Sequence, residues 1–352
     1  MATSSDDTEY VCTLSDELIV KAEEELNEKA EWRARDIQAL REMILKKPEL
    51  KIRTDDAYLL RFLRAKKFDY DRAFNLIMKH FSMRADEKNK QLFDNLLPST
   101  VKHVLDAGVT GVLPHRDKQG RRVMIFRPGK WDPSKYAIDD IFRANFISLT
   151  KLVEDDKTQI TGIIMIVDLD DLGLNHAKNI SPFYAKKISG LLQEEEAQIS
   201  GIILLADLKS MGWKQTRRLK PLLARRIIGL LQDSFPMRFK GIHYVNEPVI
   251  FDMIFAVIRP FMKQKILDRI HFHGTKYEEL SEFIEPQYIP SEYRGSGPPF
   301  TNEEWTKTLL SSEDEFIKEA RYGLVKALGK PEITCKDETL DCLAGSYRNI
   351  DS

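Results

Sequence analysis

Arg238 and Lys240 stand two apart at the head of a short apolar run, Phe239–Val245 (FKGIHYV), and Lys265 and Arg269 stand four apart further along the chain. Two apart on a strand puts side chains on one face, and four apart near a helix end does the same. Guanidinium and ammonium groups gathered in this way grip phosphate oxygens through charge-assisted, partly bidentate hydrogen bonds. Spacing alone leaves ordinary surface charge open as the alternative. Between the two pairs, Asn246-Glu247-Pro248 breaks the strand pattern and residues 249–258 (VIFDMIFAVI) follow, interrupted only by Asp252. A helix that is greasy on every face is buried in a core or meets something oily. With cations on both sides, it is suited to cover a lipid pocket and touch an anionic membrane.

Other chemistry is poorly represented. The sequence holds no G-x-S-x-G elbow, Walker A loop, strand-linked G-x-G-x-x-G or H-E-x-x-H motif, so no catalytic residue is assigned and a binding protein is expected rather than an enzyme. His271 and His273 alternate on a strand and share a face, but no third ligand lies nearby in sequence, and no metal is expected. His176 and His243 are read as hydrogen-bonded structural histidines. Cys12, Cys335 and Cys342 are scattered and at non-metal spacing, which fits reduced thiols. No cofactor is called for.

Lys and Arg total 54 against 55 Asp and Glu, a formal net charge of −1, so no global field draws the chain to nucleic acid. Membrane attraction must be local. The run at residues 249–258 is too short for a span, which needs roughly 20 residues, and no transmembrane segment is expected. The start MATSSDDTEY does not read as a signal peptide, Ala2 excludes myristoylation and the final NIDS is no prenylation box. The expected location is cytoplasmic, with peripheral and transient association to membranes, endosomes among them.

The elements that must position these residues fall into two patterns. Residues 14–93 read as helices. Ser15 caps the first. Trp32, Ile37, Leu40, Ile44 and Leu45 give a second stripe. Leu59, Leu60, Phe62 and Leu63 line a third helix behind Thr54-Asp55-Asp56, and Ala73, Leu76, Ile77, His80 and Phe81 a fourth behind Asp69. From about Pro98 helices alternate with apolar strands: helix 101–107, strand 123–127, helix 138–153, strand 162–169, helix 182–193, strand 201–208, helix 220–232, strand Phe239–Val245 and, after the apolar helix, strand 269–273. The alternation predicts an α/β domain with a largely parallel sheet, and strands rich in Ile, Val and Leu predict cover on both faces. Residues 302–327 read as one more helix and the last 25 as a solvated tail.

One unit is written twice. Residues 159–193 recur 39 positions later as 198–232, with Gly162/Gly201, Asp168/Asp207, Gly173/Gly212, Pro182/Pro221 and Gly190/Gly229 in register. Two copies make no solenoid. Arg217, Arg218, Lys220, Arg225 and Arg226 in the second copy read as a solvated helix face.

Four stretches carry a resemblance: residues 55–73 (DDAYLLRFLRAKKFDYDRA), 233–248 (DSFPMRFKGIHYVNEP), 258–273 (IRPFMKQKILDRIHFH) and 289–295 (IPSEYRG). Together they make the chain resemble the CRAL-TRIO family, the Sec14-like lipid-transfer proteins, over roughly residues 10–316. The resemblance implies a helical N-terminal domain at 10–93, a lipid-binding CRAL-TRIO lobe at 98–296 containing the duplicated unit, and a C-terminal helix and tail at 297–352. It also implies an apolar ligand cavity closed by a mobile gate helix carrying Val249, Ile250, Phe251, Ile254, Phe255, Val257 and Ile258. Phe142, Asn145, Phe146, Leu149, Ile163, Val167, Ile188, Leu192 and Ile242 are the positions implied for the cavity wall. Lys66, Arg238, Lys240, Lys265 and Arg269 match the family's phosphoinositide cleft, and all five are basic.

Where tocopherol-binding members carry two serines on the pocket helix, Asn145 and Leu149 stand here, and an aromatic strand position becomes Val167 or Ala206, depending on the copy. Polar anchors of that kind set ligand orientation and specificity, so the guest is tocopherol-like or another small hydrophobic lipid. Burying about 300 Å² of apolar lipid is worth on the order of 7 kcal/mol before entropy losses, enough for sequestration without catalysis. The expected function is lipid binding and intermembrane transfer with phosphoinositide recognition. A lipid-sensing adaptor that recruits partners through the segment after Pro298 is the alternative.

The family has one βα unit where this chain has two. Alternative cassettes read through together in one transcript are the favoured origin. A true insertion would have to bury residues 201–208 or expose an aggregation-prone strand. Trypsin should release residues 188–209 as one peptide spanning the junction, and its detection in native tissue by mass spectrometry would reject the read-through origin.

Overall fold

Capping carboxylates and apolar stripes set the N-terminal helices of the computed structural model, which describes residues 9–171, 236–247 and 264–325. Ser15 starts α1 (Asp16–Leu26) with its carbonyl, which accepts from the backbone of Leu18 and Ile19 at 2.9 Å, and its hydroxyl makes no cap bond. α2 is Arg33–Leu45, followed by a short strand β1 (Leu50–Lys51). The Asp55 carboxylate accepts from Tyr58 N–H to open α3 (Asp56–Ala65), and the Asp69 carboxylate accepts from Arg72 N–H to open α4 (Tyr70–Ala85). Each such cap is worth about 1 kcal/mol. Ile37, Leu40, Ile44, Leu59, Leu60, Phe62, Leu63, Ala73, Leu76, Ile77 and Phe81 close one buried core between α2, α3 and α4.

The expected α2 stripe is narrower than the sequence suggested. Trp32 is 42% exposed and Leu45 67% exposed. Trp32 sits outside the helix as its N-terminal flank, with Lys29 Nζ 4.2 Å and the Arg35 guanidinium 4.7 Å from its ring. Nor does α1 join the helical core. Ala22 and Leu26 pack instead on Ile160 of the second lobe, with Leu14 and Leu18 at the margin.

The second lobe runs through α5 (Lys90–Phe93), α6 (Lys102–Asp106), β2 (Thr110–Arg116), β3 (Arg122–Phe126), α7 (Ile138–Leu152), α8 (Asp156–Thr161), β4 (Ile163–Asp168), β5 (Phe239–Val245), α9 (Gln264–Leu267) and β6 (Ile270–Phe272). The strands lie in the order β2-β3-β4-β5-β6, with β2 antiparallel to β3 and all other pairs parallel. This is the largely parallel α/β sheet that the alternation predicted. β4 is buried at every position because both faces are covered. Ile163, Met165 and Val167 face α7 with Met124, Phe126, Ile242 and Tyr244, while Ile164 and Ile166 face Val123, Ile125, Val245 and Tyr293.

Two elements differ from expectation. β2 has no strand-like signature in sequence, since Gly111 and Pro114 punctuate it and the register shifts between Val112 and Arg116, the kind of irregularity where a strand proline is tolerated. Where one helix was expected over residues 302–327, the described part holds two, α10 (Glu303–Ser311) and α11 (Glu313–Glu319). The break falls at Ser312, whose Oγ donates to Thr308 O at 2.9 Å and whose backbone leaves helical geometry. The last described strand, β7 (Gly323–Leu324), then pairs antiparallel with β1, returning the chain to the first lobe. Ile188, Leu192, Ala206, the seven gate-helix positions, the histidine at 176 and the second copy of the repeat lie outside the described residues.

One buried guanidinium spans the two lobes. Arg64 is fully buried on α3 and donates to Glu28 Oε2 (2.7 Å) and Oε1 (2.9 Å), to Asp156 Oδ1 and Gln159 Oε1 (both 2.7 Å) and to the Tyr10 hydroxyl (3.1 Å). Burial alone would raise the Glu28 carboxyl, but hydrogen bonds and charge from Arg64 and Arg33 hold it below the ordinary carboxylate range. Removing Arg64 takes two charge-assisted hydrogen bonds from Glu28, which is 2% exposed and keeps, among the described residues, only the bond from Arg33 Nε at 2.8 Å. Arg64→Met should therefore cost about 3 kcal/mol of stability, the lower end for breaking a buried pair, read as a lower urea midpoint in equilibrium unfolding.

Candidate functional site

Three of the five cations implied for a phosphate cleft, Arg238, Lys240 and Arg269, lie at the seam between α1 and the start of β5. Arg238 precedes β5 and Lys240 is its second residue. The pairing with β4 shifts register there, between Ile163 and Ile164. Arg238 Nη1 donates to Ile160 O (2.6 Å), and Arg238 Nη2 and Lys240 Nζ both donate to Glu25 Oε2, at 2.7 and 2.8 Å. Arg269 Nη1 donates to Phe239 O (2.7 Å), holding its guanidinium over the same strand start. Gly162 makes this approach possible. Its φ is +83°, and a Cβ there would stand 2.4 Å from Arg238 O and 2.9 Å from Lys240 Cγ.

The electrostatics are those of crowded cations. Burial pulls the Lys240 ammonium below its usual value, Glu25 opposes this, and Arg238 and Arg269 add to the lowering. Arg269 is lowered by burial and by Arg238. Burial would raise the Glu25 carboxyl, but the hydrogen bonds from Lys240 and Arg238 override it and push the group down to about 2. Lys66 ends α3 and is half-buried. Asn27 Nδ2 donates to Lys67 O (3.4 Å), which sets the turn carrying Lys66 against the end of α1. The side chain of Lys265, on α9, lies outside the described residues. The structure thus gathers Arg238, Lys240 and Arg269, and puts Lys66 on the neighbouring turn.

The described positions expected in a cavity wall fall on one sheet face and one helix, with Ile188 and Leu192 outside the described residues. Ile163, Val167 and Ile242 belong to a single buried cluster with Leu149 of α7, and Phe142 and Phe146 pack against its edge. Asn145 is committed on both amide atoms: Oδ1 accepts from Thr110 Oγ1 and Nδ2 donates to Ile141 O, both at 2.9 Å. It fastens α7 to β2. Tyr244 and Phe272 share this face, with ring centroids 5.4 Å apart, and sequence reasoning passed over both. Period-two alternation from Ile242 would have found Tyr244.

The opposite face holds the histidines. His243 faces His271 across the β5–β6 ladder, and His273 continues the row, with rings parallel to within 14° and centroids 4.6–6.3 Å apart. His243 Nδ1 and His273 Nε2 are 3.1 Å apart, and His273 Nδ1 is 2.8 Å from Glu279 Oε2. His243 is the hydrogen-bonded structural histidine that was expected. Burial, then His271, His273 and Arg121, pushes it down to about 2.

The described residues thus form an N-terminal helical lobe, a buried apolar sheet face under α7 and a cationic seam between the lobes. Comparison with known proteins gives the class. The CRAL/TRIO domain model matches residues 106–195 and 189–295, and the CRAL/TRIO N-terminal domain model matches 18–79. The two CRAL/TRIO matches meet at the junction of the duplicated unit. Alpha-tocopherol transfer protein-like of Homo sapiens is 41% identical over 311 residues, 88% of this chain and 79% of its own length. Clavesin-2 of Homo sapiens is 35% identical over 315 residues, 88% and 83% of the two chains. The crystal structure of Sfh5 overlaps 87% of this chain and all of its own at 10% identity, with a TM-score of 0.39, too low to carry an argument. The chain belongs to the CRAL-TRIO family. It is accordingly a protein of lipid binding and transfer, not an enzyme. No helix among the described residues is long and apolar enough to cross a membrane.

The unfolded chain protonates a histidine near pH ~6.5 while the buried His243 stays neutral, so the unfolded state takes up more protons below that pH and stability falls with acidification. The melting temperature should drop between roughly pH 7 and pH 5, and His243→Leu should make that slope shallower in thermal denaturation.

Proposed function

We propose that this chain extracts one small hydrophobic lipid, tocopherol-like in size, from one membrane and delivers it to another. It recognises phosphoinositide through Lys66, Arg238, Lys240, Lys265 and Arg269. The observation that carries the reading is the convergence of Arg238, Lys240 and Arg269 on one strand start, where two of them already hold a carboxylate oxygen. The guest lies against the α7 side of the sheet, where Phe142, Phe146, Leu149, Ile163, Val167 and Ile242 supply apolar surface. The segment from Val249 to Ile258 serves as the gate. Tocopherol is the guest suggested by the name of the first relative. Because Asn145 is engaged with Thr110 and Leu149 offers no polar atom, the guest is held chiefly by apolar contact. The working division is residues 10–93, 98–296 and 297–352, and the membranes addressed are phosphoinositide-bearing ones such as endosomes.

Arg238→Glu or Arg269→Glu should weaken binding to vesicles containing phosphatidylinositol bisphosphate by roughly tenfold or more, the loss expected for a charge-assisted contact. Lipid loading, read by native mass spectrometry, should be unchanged. The gap should narrow at high salt. Equal vesicle binding by wild type and variants at low salt would remove the cleft from the reading.

A further inference from the structure

We propose that Glu25 is a resident competitor in the basic cleft. Its carboxylate oxygen stands where a headgroup phosphate oxygen would stand, so a doubly charged phosphate monoester displaces it and a singly charged phosphodiester does not. The inference rests on the cleft reading and gives that site its means of selection.

The geometry is that of an anion site already filled. One oxygen, Glu25 Oε2, accepts from Arg238 Nη2 at 2.7 Å and from Lys240 Nζ at 2.8 Å. Convergence of a guanidinium and an ammonium on one oxygen is the arrangement that binds phosphate. The carboxylate comes from α1 and the cations from the strand side, so the contact crosses the seam. The helix itself does not favour the carboxylate there. Glu25 lies in the last turn of α1, where the macrodipole disfavours negative charge, and no basic residue occupies that turn. The cleft is what holds it.

Departure of the Glu25 side chain is mechanically simple. The side chain is 34% exposed, so it can swing to water while Ala22 and Leu26 stay packed on Ile160. Lys21 Nζ, 3.8 Å from Glu25 Oε1 on the same helix, offers the released carboxylate a partner.

The charge balance then sets a threshold. A phosphodiester replaces one negative charge by one negative charge and gains little. A phosphate monoester brings about −1.5 to −2 at pH 7 and leaves the cleft better neutralised than Glu25 does. Glu25 thus excludes the abundant singly charged lipids and admits phosphorylated inositol headgroups, whether lipid-borne or free.

The test compares wild type, Glu25→Gln and Glu24→Gln, the last an exposed neighbour with the same change in charge. Each is titrated with phosphatidylserine vesicles, with phosphatidylinositol bisphosphate vesicles and with soluble inositol trisphosphate. Glu25→Gln should raise phosphatidylserine binding roughly tenfold and bisphosphate binding by less, narrowing the preference, while Glu24→Gln leaves the preference as it is. Binding of soluble inositol trisphosphate by wild type would show that the headgroup suffices, and binding only of vesicles would assign recognition to the lipid surface. Either supports the proposal if the Gln variant narrows the preference. A preference untouched in Glu25→Gln, or narrowed equally in both variants, overturns the inference alone. A wild type without preference for the monoester overturns the cleft reading as well. A measurement on wild type guards against an unstable variant. Carbodiimide labelling of carboxylates should modify Glu25 faster when the bisphosphate vesicles, or inositol trisphosphate if it binds, are added, and unchanged Glu25 labelling with a bound headgroup overturns the displacement.

Discussion

A single guanidinium, taken wholly out of water, fixes how the two lobes meet. Arg64 has no solvent, so every one of its donors must find an acceptor, and the acceptors come from both sides of the seam: Glu28 after α1, Asp156 and Gln159 on α8, and the hydroxyl of Tyr10. Burying such an ion is costly unless its hydrogen bonds are complete, and completing them requires α1, α3 and α8 to be held in one relative position. That position brings Glu25 within reach of Arg238 and Lys240. The charged cleft is therefore a by-product of the way the lobes are locked. Its register against the sheet inherits the rigidity of the lock.

Much of the fold could be read in the residues because burial leaves clear marks. β4 is covered on both faces, so its sequence runs apolar from Ile163 to Val167 without alternation, and Asp55 and Asp69 announce α3 and α4 as caps. The failures are equally physical. β2 contains Gly111 and Pro114 and keeps its strand only because β3 supplies a partner. The stripe on α1 has helical spacing, yet spacing names a face and not a destination, and that face turned to Ile160 rather than to the helical core. Ser312 divides a periodic segment by turning its own hydroxyl back on the preceding helix.

The candidate site was half legible. Arg238, Lys240 and Arg269 could be picked out by type and by their places around a strand. Glu25 could not, since it belongs to the run Glu23-Glu24-Glu25, which reads as a solvated acidic face until the tertiary structure shows which member crosses the seam. Gly162 was likewise visible only as a repeat marker, whereas its positive φ and the absence of a Cβ let the backbone of Arg238 pass close by. Tyr244 was missed although it stands two residues from Ile242 on the same face of β5.

The pairing of β7 with β1 has a kinematic consequence. The polypeptide leaves the helical lobe after α4, traverses the sheet, anchors α10 through Asn302 to Leu105 O and Thr110 O, and then stitches its end back onto the strand at Leu50 and Lys51. The helical lobe is thus tethered at both ends of its own excursion, like a door hung on two opposite jambs. Two such attachments leave less freedom to hinge than one would. An opening of the kind proposed for lipid entry is therefore expected in the α/β lobe, with the seam as its frame.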